Sequence, residues 1–161
     1  MWSSTVRSPI LPLPLLFFLF LTICTAVTPF PQKDLPPLPL PLELVYEFPN
    51  ITWVENLAIR SNGEILITLA EPNLYLVNTT AKSATLVYTF PDVLGLGGIT
   101  EVDHDIFYLA AGNVSNITTR PRSFSVWEVD MRSWSLSSGA VVRKVTDTPD
   151  AVAPNGLTTL S

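Results

Sequence analysis

The segment Leu44-Val45-Tyr46-Glu47-Phe48-Pro49 returns about 42 residues later as Leu86-Val87-Tyr88-Thr89-Phe90-Pro91, and this self-similarity constrains the fold more than any other feature of the chain. At the same offset Asn56-Leu57-Ala58 meets Gly98-Ile99-Thr100, and Ile65-Leu66-Ile67-Thr68 meets Phe107-Tyr108-Leu109-Ala110. A third copy starts at Pro154-Asn155-Gly156-Leu157-Thr158-Thr159-Leu160, later by about 58 residues because the intervening unit carries longer loops. Within each unit the apolar segments are short, rich in Val, Ile, Leu, Tyr and Phe, and separated by turn chemistry such as Ser61-Asn62-Gly63. No helical periodicity persists after the N-terminal third.

The pattern predicts strands near 55–60, 64–70, 73–78 and 84–90 in the first unit. In the second it predicts strands near 97–102, 105–111, 123–130 and 139–146. Four short antiparallel strands per unit of this length is the pattern of a β-propeller blade. A β-sandwich is the alternative, but it gives no reason for the same loop to return to the same place. The expected fold class is therefore all-β, a partial β-propeller of two four-stranded blades and the start of a third. A strand near 42–48 is expected to act as the last strand of a closing blade that the 161 residues do not include.

Ahead of this body, residues 1–26 read as a signal peptide. Arg7 precedes an apolar run through Leu15 to Leu21, and Cys24 and Ala26 occupy the small-residue positions before a cleavage site. An uncleaved anchor is the alternative, but the uninterrupted run is shorter than the roughly 20 residues of a spanning helix, so no stable membrane span is expected after cleavage. Residues 27–41 are proline-rich and read as an extended spacer, and 42–161 as the incomplete propeller domain. Four sequons, at Asn50, Asn78, Asn113 and Asn116, agree with a secreted or lumenal, glycosylated chain. The single cysteine lies in the leader, which leaves the mature chain without disulfides or thiolate metal sites. The formal net charge of −5 argues against nucleic acid as a partner.

In a propeller the lead-in to each first strand and the loop between second and third strands share one face, while the tight turns between first and second strands lie on the other. The offset puts His104, in Glu101-Val102-Asp103-His104-Asp105, opposite Asn62 at a hairpin tip, so it reads as a solvated turn residue. Glu55, Gly97 and Asn155 align at the lead-in to first strands and aim at the channel mouth. A carboxylate and an amide oxygen there suit Ca2+ or another hard divalent cation, though both also serve as strand-end hydrogen-bonding groups, and two ligands are too few. Trp53 either lines a pocket on that face or packs between blades. Gly95-Leu96-Gly97-Gly98 reads as a tight turn into the next strand, not as a phosphate loop, because no helix follows.

Several stretches carry a resemblance. Glu43 to Asn50, Trp53 to Gly63, Ser125-Val126-Trp127-Glu128-Val129-Asp130 and Asn155-Gly156-Leu157 resemble fungal secreted six-bladed propellers related to the gluconolactonase and senescence-marker-protein family. That group includes hetero-Diels-Alderases of specialised-metabolite biosynthesis, which join polyketide-derived quinone methides to a terpene alkene. The resemblance covers residues 43–161, about the first half of a family member. It implies that Glu55 and Asn155 match metal-ligand positions of the lactonases, whose remaining ligands come from other blades.

Three functions follow. The first is a hetero-Diels-Alderase-like cyclase that takes small-molecule substrates, positions diene and alkene in a channel pocket with Trp53, Glu55 and Asn155 as candidates, and requires no cofactor. No individual catalytic residue is assigned. The second is a divalent-metal-dependent lactone hydrolase with Glu55 and Asn155 as ligands. The third is a truncated propeller without activity.

Overall fold

A computed structural model describes residues 39–49, 52–115 and 118–160. Residues 1–26, read above as a signal peptide, and most of the proline-rich segment lie outside these, as do Asn50 and Asn116. Glu43–Ser161 forms one compact unit.

The described residues contain strands and no helix. Strands β1 (Val54–Ile59), β2 (Ile65–Leu69), β3 (Asn73–Asn78) and β4 (Ser83–Thr89) form an antiparallel meander in that order. The second unit supplies β5 (Gly95–Asp103) and β6 (Ile106–Gly112), and then a two-stranded excursion of β7 (Val114–Ser115) and β8 (Thr118–Thr119). Strands β9 (Ser125–Asp130) and β10 (Val141–Asp147) complete it, and its sheet order is β5, β6, β9, β10. Two like four-stranded meanders, set side by side with β1 against β5, make a partial β-propeller-like all-β fold.

Alternation along the strands sorts the side chains onto two faces. Leu66 of β2 with Leu74 and Leu76 of β3 faces the second sheet, where Phe107 and Leu109 of β6 and Val129 of β9 meet them. Phe90 and Met131, each just past a strand, close this core. The opposite face of the first sheet carries Ile67, Leu69 and Val77, and against these lie Val45, Tyr46 and Phe48. Phe48 meets Tyr75 edge to face at 5.4 Å.

Two expectations change here. Residues 42–48 form no strand; an extended segment becomes a strand only with a partner for its N–H and C=O groups, and this one makes side-chain contacts instead. Gly95 to Gly98 is not a turn but the first half of β5. Neither Gly97 nor Gly98 adopts a positive φ. Their reason is close approach: a Cβ on Gly97 would sit 2.8 Å from the Pro154 carbonyl oxygen, and one on Gly98 would sit 2.6 Å from the Leu157 nitrogen. The third copy thus lies directly on the first strand of the second.

At the opposite end of the sheets the β1–β2 turn does need glycine, with Gly63 at φ 86°. Beside it Arg60 is 7% exposed. Its guanidinium donates to both oxygens of Asp105, at 3.0 and 2.7 Å, to Glu64 Oε2 at 2.7 Å, and to the Met131 carbonyl at 3.3 Å. Asp105 sits in the β5–β6 turn, so this fork ties the two sheets together.

Candidate functional site

Where β1 and β5 begin, β2 and β6 end and β9 begins, the strand ends surround a cleft of about 270 Å3. Trp53 and Glu55 form one wall, Leu96 and Phe124 the depth, and residues 153–155 the facing wall. The floor is made of small residues, Ala70, Gly95, Gly97, Ala110 and Gly112, and at the three glycines a Cβ would meet Val114, Pro154 and Phe124 respectively. Gly112 has no room for more, since a Cβ would fall 2.3 Å from the Phe124 ring.

The structure brings the three predicted pocket residues together. Asn155 Nδ2 donates to Glu55 Oε1 at 3.0 Å, a contact that spans 100 residues and joins the lead-in of the first repeat to that of the third. Trp53 is 59% exposed at the mouth, so it is a cleft wall and not an inter-sheet core residue. Thr68 Oγ1, fully buried under the floor, donates to the Gly97 carbonyl at 2.8 Å and fixes β5 against β2.

As they stand, Glu55 and Asn155 hydrogen-bond each other and do not present two oxygens to one point. The amide turns its N–H toward the carboxylate, the geometry of a self-satisfied pair and not of two oxygens aimed at one ion. Among the described residues no three His, Cys, Asp or Glu side chains gather to hold a metal, whereas Ca2+ takes six to eight oxygens.

His104 lies in the β5–β6 turn, exposed, at the end of the sheets away from the cleft, as the offset predicts. Of the described sequons, Asn78 is the half-buried last residue of β3 and not an open loop position. Its Oδ1 accepts from the Thr80 and Ala81 N–H groups. Asn113 stands between β6 and β7 beside the cleft wall residue Val114, with its N–H on Ser123 Oγ at 3.0 Å.

Sequence reasoning placed Gly97 at this mouth but missed the rest of the floor, although the repeat carried the signal. Ala70 and Gly112 are equivalent at the 42-residue offset, as are Trp53 with Gly95 and Glu55 with Gly97, and all six line the cleft.

No protein-family profile matches the chain. Over 61 residues it is 41% identical to a candidate hetero-Diels-Alderase of a Phoma species, a stretch covering 38% of this chain and 16% of that protein. Over 36 residues it is 44% identical to a candidate hetero-Diels-Alderase of Sarocladium schorii, covering 22% of this chain and 9% of that one. The matches thus span a sixth or less of the length of these relatives.

Proposed function

We propose that the cleft is a small-molecule site and that the chain serves a hetero-Diels-Alderase-like cyclase. The observation that carries this reading is the lining: an apolar slot with one aromatic wall and a single polar pair, Glu55 with Asn155. A hetero-Diels-Alder addition turns three π bonds into one while two σ bonds form, and no proton has to move. Holding heterodiene and alkene in a near-attack arrangement supplies most of what such a reaction needs. A polar group at the edge of the slot adds stabilisation where charge develops. Similarity to two proteins of that name supports the choice among small-molecule chemistries. This reading requires no cofactor.

The test uses an o-quinone methide generated in situ with a trisubstituted alkene, followed by chiral chromatography. With the protein, the cycloaddition is faster and one stereoisomer is in excess; Ala70→Leu, which fills the floor, removes the excess. Equal rates and a racemic product with and without protein would sink the proposal.

We also propose a secretory route for the chain. The apolar segment of residues 1–26 and the sequon at Asn113 support it. Mass spectrometry of the secreted protein would show an N-terminus near Val27 and a glycan on Asn113. Among the described residues no helix is long and apolar enough to cross a membrane.

A further inference from the structure

Two Asn-Gly pairs occur in the chain, Asn62-Gly63 and Asn155-Gly156, and both are exposed. An asparagine followed by glycine is prone to deamidate, because no Cβ hinders the next backbone nitrogen from attacking the side-chain amide. The fold treats the two pairs differently. In the β1–β2 turn the Gly63 N–H donates to the Arg60 carbonyl at 2.9 Å, so the nitrogen that would attack is engaged. The Asn62 amide is held at both ends, with Oδ1 accepting from the Glu64 N–H at 3.0 Å and Nδ2 donating to Glu64 Oε2 at 2.8 Å. Residues 152–160 belong to no strand, and among the described residues the Gly156 N–H has no backbone partner. A Cβ at Gly156 would meet nothing within 4 Å, and Asn155 is held through Nδ2 alone, by the Glu55 carboxylate.

We propose that Asn155 is a site of spontaneous deamidation and that the change frees the 153–155 wall of the cleft. The Gly156 nitrogen attacks Cγ of Asn155; a C–N bond forms, the Cγ–Nδ2 bond breaks, and ammonia leaves with the proton of the Gly156 N–H. Water then opens the succinimide ring at either carbonyl and leaves aspartate or isoaspartate at position 155. Reaction at Asn62 first requires the turn to open, whereas Asn155 gives up one exposed hydrogen bond. The product reverses the contact: where an N–H met Glu55, a second carboxylate faces it, and like charges repel. Among the described residues that N–H makes the only hydrogen bond between residues 152–160 and the sheets. What remains after its loss is packing on Gly97 and Gly98.

The full chain is incubated in warm, mildly alkaline buffer, with and without urea, and digested with trypsin for mass spectrometry. Trypsin separates Asn62, in 61–82, from Asn155, the one asparagine of 145–161. Without urea, the mass gain of amide to acid is expected in 145–161 about tenfold faster than at Asn62, and in urea the two rates are expected to converge. Gly156→Ala, which has room for its Cβ, is expected to slow the gain. Aged protein is expected to be cut by a broad-specificity protease between residues 148 and 157 about tenfold faster than fresh protein, Asn155→Asp to be cut as fast without ageing, and aged Gly156→Ala to stay resistant. Should Asn155→Asp fail to fold, aged wild type against aged Gly156→Ala still decides. No mass gain in 145–161, a rate at Asn62 that equals or exceeds it, or a contrast that persists in urea overturns the assignment of the site. Deamidation of Asn155 without faster cleavage overturns the freeing of the wall.

Discussion

Arg60 shows how one side chain can hold two sheets, because it leaves its own strand end to meet Asp105 from the other unit while Glu64 takes the remaining fork. Both partners respond: the carboxylates hold the guanidinium above its ordinary value, and the hydrogen bond from Arg60 holds Asp105 below the carboxylate range. Arg60→Ala leaves that carboxylate low in solvent contact and unpaired, and is expected to cost about 3 kcal/mol in urea unfolding. Asp130, paired with Arg132 through side chain and backbone, falls to about 2. Both acids bind protons more weakly folded than unfolded, so their contribution is full above pH 4 and is lost as pH falls below it, for Asp130 on the way to about 2. Acid melts are expected to show that loss, and Arg60→Ala to flatten it. None of this was legible in the sequence, because Arg60 faces Val102 at the repeat offset and an unrepeated contact leaves no pattern.

At the scale of elements, the repeat placed the eight main strands to within two residues, because alternation and turn chemistry are local properties. It failed where a neighbour decides the outcome. Residues 42–48 have strand composition but no ladder, and the 112–123 insertion holds the β7–β8 pair that no short-range signal announces. The Gly-rich stretch was misread for the same reason: its glycines answer to the backbone of 154–157, which only the folded chain brings near. Gly98→Ala therefore belongs to this scale. Its Cβ meets backbone atoms at 2.6 and 2.7 Å, which cannot swing aside as a side chain would. The segment is expected to lift from β5, cleavage by a broad-specificity protease between residues 148 and 157 to accelerate at least tenfold, and the circular dichroism of the sheets to persist.

Across the whole unit the two faces of the first sheet are unequal. One is sealed against the second sheet, whereas on the other β1 leaves Leu57 and Ile59 50% and 62% exposed, next to the patch that Tyr46 and Phe48 cover. A strip of this kind limits solubility. Replacing both residues with Lys is expected to suppress concentration-dependent light scattering and to move the melting temperature by only a few degrees, since neither side chain lies in the main core. The site was legible at this scale in outline: aligning the copies put Trp53, Glu55 and Asn155 at one end and His104 at the other. That Asn155 would offer its N–H to Glu55 was not, because which end of an amide faces a carboxylate depends on atoms that meet only in three dimensions.

The bond between Glu55 and Asn155 also sets a clock. Each meander can zip from its own hairpins, but two residues a hundred positions apart meet only after both sheets have formed and docked. Refolding should therefore run in two stages, with strand signals recovering first and the emission of the mouth tryptophan last. A nascent chain would carry finished sheets before it could hold anything between them.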